Sequence, residues 1–260
     1  MLKPLRGLLD AVRARDAAAR FYFVGDYVNR GPDSRGVIDL LLSLGEAARF
    51  VRGNHDDVFD VVLGGESYTG ENSDEHRIAA FFWFMQHGLD QTFMSYGADP
   101  HDLMRSVRRP NVLDLDPLID LVPEAHRTFI RELPVVIEEP DLFVAHAKWD
   151  PDSPSDSLAA RAGSSDKTRY AILWGRFTQP ELDRKKRWRQ RGFFGHTPVE
   201  NYVSRDPDAE VQPIVRDDIV LLDTGAALRS DGRLTAVCAD ADEYIQADRG
   251  GDTLRGSAGD

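Results

Sequence analysis

The chain has 260 residues and a mass of 29.1 kDa, with 32 basic and 44 acidic side chains and a net charge of −12. Its longest strongly apolar run covers only residues 79–85, which excludes a membrane-spanning helix, because such a helix needs about 20 apolar residues. The negative charge disfavours DNA binding, and the single cysteine, Cys238, excludes a disulfide scaffold. This length suits one domain with an insertion, and no signal peptide is evident near Met1, so we expect a cytoplasmic protein.

The first fifty residues predict alternating helices and strands. Apolar residues at helical spacing between Leu2 and Val12 predict an amphipathic helix. Residues 20–24 form a short apolar run that ends at Gly25, which is typical of a buried strand. Ser34 is placed to cap a helix over residues 35–44, and a second short strand is expected at residues 50–51.

The rest of the chain predicts an α/β core with a helical insertion and a polar tail. Short strands are expected at residues 142–145, 192–194, 219–222 and 234–237, and strands that alternate with helices favour a layered α/β fold. Residues 60–132 have mostly helical patterns, and we interpret the aromatic run at residues 81–84 as the core of this insertion. We predict one domain over residues 1–245 and a disordered tail over residues 246–260.

Four predicted strands are followed directly by side chains that bind metals. The segments are Gly25-Asp26, Gly53-Asn54-His55, Ala145-His146-Ala147 and Gly195-His196-Thr197-Pro198. In α/β sheets, ligands collect beyond the carboxyl ends of strands, so these side chains are expected to converge. A set of oxygen and nitrogen ligands without thiolate suits manganese, iron or zinc.

These segments also resemble a known family. GDYVNRG at residues 25–31, RGNHD at 52–56 and GHTP at 195–198 are similar, in that order, to the motifs of the calcineurin-like metallophosphoesterases. The resemblance is to the phosphoprotein phosphatase branch, in the bacterial group that includes serine/threonine phosphatases and symmetrical dinucleoside-tetraphosphate hydrolases. It implies two mixed β-sheets that pack together, helices on the outside, and a helical cap inserted after Asn54-His55.

The resemblance implies a dinuclear metal centre and a catalytic histidine. Asp26 would bridge two divalent metals, with manganese first and iron or zinc as alternatives, and Asn54, His146 and His196 would complete one metal's shell. His55 would be the general acid that protonates the leaving oxygen. The resemblance also implies that Asn29 contacts His55. Three arginines would bind phosphate oxygens: Arg30, Arg52 and Arg176.

Two departures from the family pattern bear on activity. The opening motif, Gly-Asp-x-His-Gly, is absent, so the first metal would lack an Asp and a His. Either the natural chain begins earlier or half of the metal centre has been lost, and we expect the 260-residue chain to be nearly inactive and to hold one metal. Asn29 stands where the family has an Asp beside the catalytic histidine; it can orient His55 but cannot stabilise its charged form.

Two functions therefore remain open. The first is a metallophosphatase that hydrolyses either phosphoserine and phosphothreonine proteins or dinucleoside polyphosphates by means of a metal-activated water. The second is a non-catalytic pseudophosphatase that binds phosphorylated partners. Three features have no assigned role: Lys148, the basic run at residues 184–191, and His126, which we expect at the surface.

Overall fold

The computed structural model describes residues 1–66, 73–108, 114–150, 166–185, 188–203 and 210–257. Within these ranges the helices are α1 Leu2–Arg15, α2 Ser34–Ser43, α3 Asn54–Val62, α4 Asp74–Met85, α5 Leu89–Ser95, α6 Pro100–Arg108, α7 Asp116–Ile119, α8 Glu124–Arg131, α9 Asp166–Trp174 and α10 Gln179–Leu182. The strands are β1 Phe21–Phe23, β2 Ala48–Phe50, β3 Val136–Glu138, β4 Leu142–Ala145, β5 Arg191–Phe194, β6 Ile214–Val215, β7 Ile219–Leu221, β8 Leu234–Val237, β9 Glu243–Ala247 and β10 Thr253–Ser257. No helix in the described ranges is long and apolar enough to cross a membrane.

The strands form a central mixed sheet and two smaller sheets. The central sheet has the order β3-β4-β5-β7-β6, with parallel pairs between β4, β5 and β7 and antiparallel strands at both edges. β1 pairs with β2 in parallel, and β8, β9 and β10 form an antiparallel sheet. The resemblance implied two sheets; among the described residues there are three, because no strand ladder joins β1–β2 to β8–β10.

The early helices follow the predicted apolar stripes, with one change of cap. α1 buries Leu5, Leu8 and Leu9 on one side. α2 begins one residue earlier than predicted, and its cap is Asp33, whose side chain accepts a hydrogen bond from the Gly36 N–H at 2.8 Å. Ser34 is therefore the first helical residue and not the cap, because the Asp33 carboxylate already accepts a hydrogen bond from the free Gly36 N–H.

The insertion has its own aromatic core, but one of its aromatic residues is outside it. Phe81 and Phe84 of α4 are fully buried together with Phe59 and Phe93, and burial of each such ring contributes about 1.5–3 kcal/mol. Trp83 was expected in the same core, yet 51% of its surface is exposed. The reason is helical geometry, because residue 83 projects from a different face of α4 than residues 81 and 84 do.

Residues 246–257 belong to an antiparallel hairpin, in place of the disordered tail predicted for residues 246–260, of which 258–260 lie outside the described residues. β9 and β10 pair antiparallel from Glu243 to Ser257, and Ile245 and Ala247 pack against Leu8 of α1. Gln246 is also fully buried, and its amide donates hydrogen bonds to the Val211 carbonyl at 2.8 Å and to Thr235 Oγ1 at 2.9 Å. The polar composition of this segment did not indicate a strand, because Gln246 is polar and yet has hydrogen-bond partners inside the protein.

Candidate metal centre

The ends of β1, β2, β4 and β5 bring the four predicted metal ligands together. Asn54 Oδ1 lies 3.0 Å from His146 Nε2 and 3.0 Å from His196 Nδ1. The two imidazole nitrogens are 3.2 Å apart, and His146 Nε2 is 3.4 Å from Asp26 Oδ2. Asp26, His146 and His196 are also the group of three side chains whose ligand atoms all lie within 4.8 Å of one another.

A backbone carbonyl orients His146 towards this cluster. His146 Nδ1 lies 2.6 Å from the Val24 carbonyl oxygen, which can only accept a hydrogen bond, so Nδ1 carries the proton and donates. In the neutral ring, Nε2 then presents a lone pair to the cluster. This arrangement, in which the outer nitrogen donates to a carbonyl, is the usual second contact of a metal-binding histidine.

Charge and burial leave the cluster rich in acceptors. Burial, reinforced by His146, lowers the pKa of His196 to about 3, so this ring is neutral near pH 7. Burial opposes ionisation of Asp26, but the neighbouring His146, His55 and His196 lower its pKa overall. The facing atoms are therefore mostly hydrogen-bond acceptors: a carboxylate oxygen, an amide oxygen and imidazole nitrogens. They carry too few hydrogens for every close pair to form a hydrogen bond. A divalent cation fits this donor set, and the absence of thiolate favours manganese, iron or zinc.

The backbone of the site is held in an uncommon conformation. Asp26, Asn29, Arg30 and His196 have φ between 59° and 71°, in the left-handed region that few non-glycine residues adopt. These are the non-glycine residues in the described ranges with positive φ, and all four belong to the motif segments. At Gly25, with φ of 94°, a Cβ would lie 2.7 Å from the Gly53 nitrogen and 2.8 Å from His146 Nδ1. Such strain is typical of functional sites.

Asp56 connects the two loops that carry the first ligands. Its carboxylate accepts hydrogen bonds from the backbone N–H groups of Asp26, Tyr27 and Gly53 at 2.8–2.9 Å. The side chain is fully buried; burial, together with the charge of Asp26, raises its pKa to about 7. No role was predicted for Asp56 from the sequence, although an acidic residue three positions after Gly53 is a recognisable signal for a helix cap.

His55 lies beside the cluster and is oriented by Asn29, as the resemblance implied. Thr92 Oγ1 of α5 donates to Asn29 Oδ1 at 3.0 Å, so the Asn29 amide nitrogen faces His55 Nδ1 at 2.8 Å and donates to it. The His55 proton is then on Nε2. Burial lowers the pKa of His55 to about 4, so the ring is neutral near pH 7. Thr92 comes from the insertion, and no sequence pattern indicated it.

The three predicted phosphate-binding arginines have different environments. Arg30 and Arg176 are exposed, and their charges act on the cluster, since they help to lower the pKa of His55 and His196 respectively. Arg52 is buried, and its guanidinium donates to Asp57 at 2.9 Å and to Asp60 at 3.2 Å. It also donates to two carbonyls of α8. We therefore reassign Arg52 from substrate binding to the packing of α3 against α8.

Lys148 and part of the basic run have partners within the protein, and residues 186–187 of that run lie outside the described residues. Lys148 Nζ donates to both carboxylate oxygens of Glu181, at 2.6 and 2.8 Å, so it is paired within the protein. Within the basic run, Arg184 pairs with buried Asp218 at 3.2 Å and lies over the ring of buried Trp188.

His126 is buried and not at the surface. Its Nδ1 is 2.9 Å from the Tyr96 hydroxyl, and its Nε2 is 3.0 Å from Asp39 Oδ1. These contacts join α8 to α2 and to the end of α5. The ring therefore has partners on both nitrogens, which accounts for its burial.

Comparison with known proteins gives one family and one kind of named relative. The sequence profile of the calcineurin-like phosphoesterases matches residues 2–200. The symmetrical bis(5'-nucleosyl)-tetraphosphatase of Thioalkalivibrio sulfidiphilus is 49% identical over 55 residues, which is 21% of this chain and 20% of that protein. The protein of the same name from Dechloromonas aromatica is 42% identical over 69 residues, covering 26% of this chain and 25% of that protein.

The matches to individual proteins are limited in extent. The chain matches about a fifth to a quarter of the length of these curated relatives. Among solved structures, a metallophosphoesterase from Sphaerobacter thermophilus aligns over 97% of this chain and 82% of its own, with 14% identity and a TM-score of 0.41. The family match thus extends much further along the chain than the sequence similarity to the two named tetraphosphatases.

Proposed function

The chain belongs to the calcineurin-like phosphoesterase family, and we propose that it is a metal-dependent hydrolase of dinucleoside polyphosphates. The observation that carries this proposal is the convergence of Asp26, Asn54, His146 and His196 at the ends of four strands. The family is one of metallophosphoesterases, which act with divalent metals on phosphoric esters or anhydrides. Manganese as the metal and the cytoplasm as the location remain predictions.

The residues around the cluster have distinct tasks in this proposal. Asp26, Asn54, His146 and His196 would hold a divalent cation, which when bound would supply Lewis acidity towards a water and the phosphates. Arg30 and Arg176 bind phosphate oxygens, because their guanidinium groups are exposed beside the cluster and always charged. His55 donates a hydrogen bond from Nε2 to the leaving phosphate oxygen. The hydrogen bond from the Asn29 amide to Nδ1 keeps the ring proton on Nε2.

A nucleotide is favoured over a phosphoprotein as the substrate. The relatives named above are tetraphosphatases of dinucleosides, whereas no described feature favours a phosphoserine or phosphothreonine peptide. Nor does any comparison support the non-catalytic alternative, since the named relatives are hydrolases. The leaving group of an anhydride is itself a phosphate, so it needs less protonation than an alkoxide does. A neutral His55 is compatible with this chemistry.

The test is a comparison of two substrates on the same protein. With the single metal expected for this chain both rates should be low, but we expect the purified chain with Mn²⁺ to convert diadenosine tetraphosphate into ADP faster than it releases phosphate from a phosphoserine peptide. Asp26→Ala should abolish this conversion, because it removes a central ligand. The proposal is wrong if the peptide is the better substrate, or if Asp26→Ala retains the wild-type rate.

A further inference from the structure

Three aromatic rings form an exposed stack next to the metal centre. Trp83 and Tyr170 are among the few large apolar side chains that remain mostly exposed, at 51% and 58%. Both rings are parallel to Trp174, which lies between them: the Trp83 and Trp174 centroids are 5.5 Å apart at 16°, and those of Tyr170 and Trp174 are 6.2 Å apart at 15°. We call Trp83, Trp174 and Tyr170 the aromatic platform.

The platform is assembled from two separate parts of the chain. Tyr170 and Trp174 lie four residues apart on α9, so their side chains project from the same face of that helix. Trp83 comes from α4 of the insertion. Stacking of the two helices' rings therefore holds α4 against α9, yet it leaves more than half of both outer side chains in water. Burial of the insertion core does not explain this exposure, because Phe81 and Phe84 already fill that core.

The platform is one ring away from the residues of the proposed chemistry. The Trp174 ring meets His196 edge-on at 6.2 Å between centroids. Phe84 contacts His55 at 5.0 Å and Trp83 at 5.1 Å, so it fills the space behind the platform. From these separations, both outer rings are within about 12 Å of the His196 ring. A ribose and a short phosphate chain span such a distance.

A positive charge lies close to the cluster on the same segment of the chain. Arg176 comes two residues after the end of α9 and is exposed, and its charge acts on His196. A molecule that extends from the platform to the cluster would thus have aromatic faces, a cation and the metal ligands within reach. This combination matches a nucleotide, whose base stacks on aromatic rings and whose phosphates need positive charge. A phosphorylated serine has no planar group to place on the platform.

We propose that the aromatic platform is a nucleobase subsite, in which an exposed face of Trp83 or Tyr170 stacks on one base of the substrate while the phosphates reach the metal centre. This subsite rests on the proposed function for its ligand but uses residues outside the catalytic cluster. Stacking is tolerant of sequence because every base has a π-face, so purines and pyrimidines should both bind, with the larger purines preferred.

The test measures binding, with base and phosphates separated. The probes are ADP and inorganic pyrophosphate, titrated calorimetrically into the full chain in the presence of Mn²⁺. Because stacking on an aromatic ring contributes to the binding of a base, whichever of Trp83→Ala and Tyr170→Ala removes the stacking ring should weaken ADP binding on the order of tenfold. Pyrophosphate binding should stay unchanged, and Trp83→Phe should restore most of the ADP affinity. Leu42→Ala, at a 41% exposed apolar residue of α2, is the matched control.

The outcomes separate the subsite from the proposed function. The subsite is excluded if wild-type protein binds ADP no better than pyrophosphate, or if both alanine variants bind ADP like wild type. Equal losses for ADP and pyrophosphate would also exclude it, because they would indicate a general disturbance. If base-dependent binding is present but diadenosine tetraphosphate is not hydrolysed, the subsite stands and the proposed function falls.

Discussion

Removal of the Asp56 carboxylate should loosen the fold and the metal centre together. Three buried backbone N–H groups, those of Asp26, Tyr27 and Gly53, donate to it. A buried donor left without a partner costs about 1–3 kcal/mol. Asp56→Asn keeps one acceptor oxygen and turns an NH₂ group towards the remaining donors, so we expect a loss of about 1–3 kcal/mol. Asp56→Ala orphans all three donors, and we expect about 3–5 kcal/mol.

The loss of unfolding free energy expected for Asp56→Ala is smaller than three times the largest cost of one unpaired donor. The side chain is buried beside Asp26, which already raises its pKa, so removal of its charge relieves some repulsion. For a protein of this size a loss of 1 kcal/mol lowers Tm by roughly 2–4 °C, so the alanine variant should melt about 6–20 °C below wild type.

Urea unfolding followed by circular dichroism measures this loss, and a Mn²⁺ titration measures its effect on the site. Since Asp56 positions two ligand-bearing loops, Mn²⁺ affinity should fall about tenfold to a hundredfold in Asp56→Ala. Asp10→Asn, at an exposed position of α1, is the control and should stay within about 0.5 kcal/mol of wild type. If Asp56→Ala is as stable as this control, the carboxylate does not hold the loops and the reasoning fails.

Three further substitutions test other parts of the structure. Arg52→Ala should cost about 3–5 kcal/mol in urea unfolding, because it removes the guanidinium that pairs with the buried carboxylates of Asp57 and Asp60; a change below 1 kcal/mol would restore Arg52 as a candidate for substrate binding. His55→Ala should reduce hydrolysis of an alkyl phosphate more than that of p-nitrophenyl phosphate, whose leaving group needs little protonation; equal losses would argue against a general acid. Gly25→Ala should weaken Mn²⁺ binding in a titration, since its Cβ would crowd His146 Nδ1 at 2.8 Å; wild-type affinity would show that the loop can adjust.

Periodicity predicted most of the core. The apolar stripe of α1 and the short apolar runs at β4 and β8 appear in the structure within a few residues of their predicted bounds. The C-terminal hairpin was missed because composition records Gln246 as polar, whereas its amide has two acceptors inside the fold. A single sequence contains no information about such partners, since Val211 and Thr235 lie 35 and 11 residues away.

The motifs predicted which side chains meet but not how each is oriented. Asp26 and Asn54 follow two paired parallel strands of one sheet, and His146 and His196 follow two paired parallel strands of the central sheet. The carboxyl ends of paired parallel strands lie side by side, so each pair of ligands could be predicted to meet. Arg52 also lies in a motif, yet its side chain points away from the cluster to Asp57 and Asp60. Which way a long side chain turns depends on the charges that surround it in the folded protein. The exposure of Trp83 likewise depends on which face of α4 the insertion covers.

The metal ligands are far apart in the sequence, so metal binding requires that distant parts of the domain have already folded. Asn54 meets His146 across 92 residues and His196 across 142 residues. Contacts of such long range form late, because the entropy of closing the intervening chain must be overcome first. The cluster therefore exists only when α3, the β1–β2 pair and the central sheet are all in place. A metal-binding signal during refolding would then mark the last step of assembly, after the signals of helix and sheet formation.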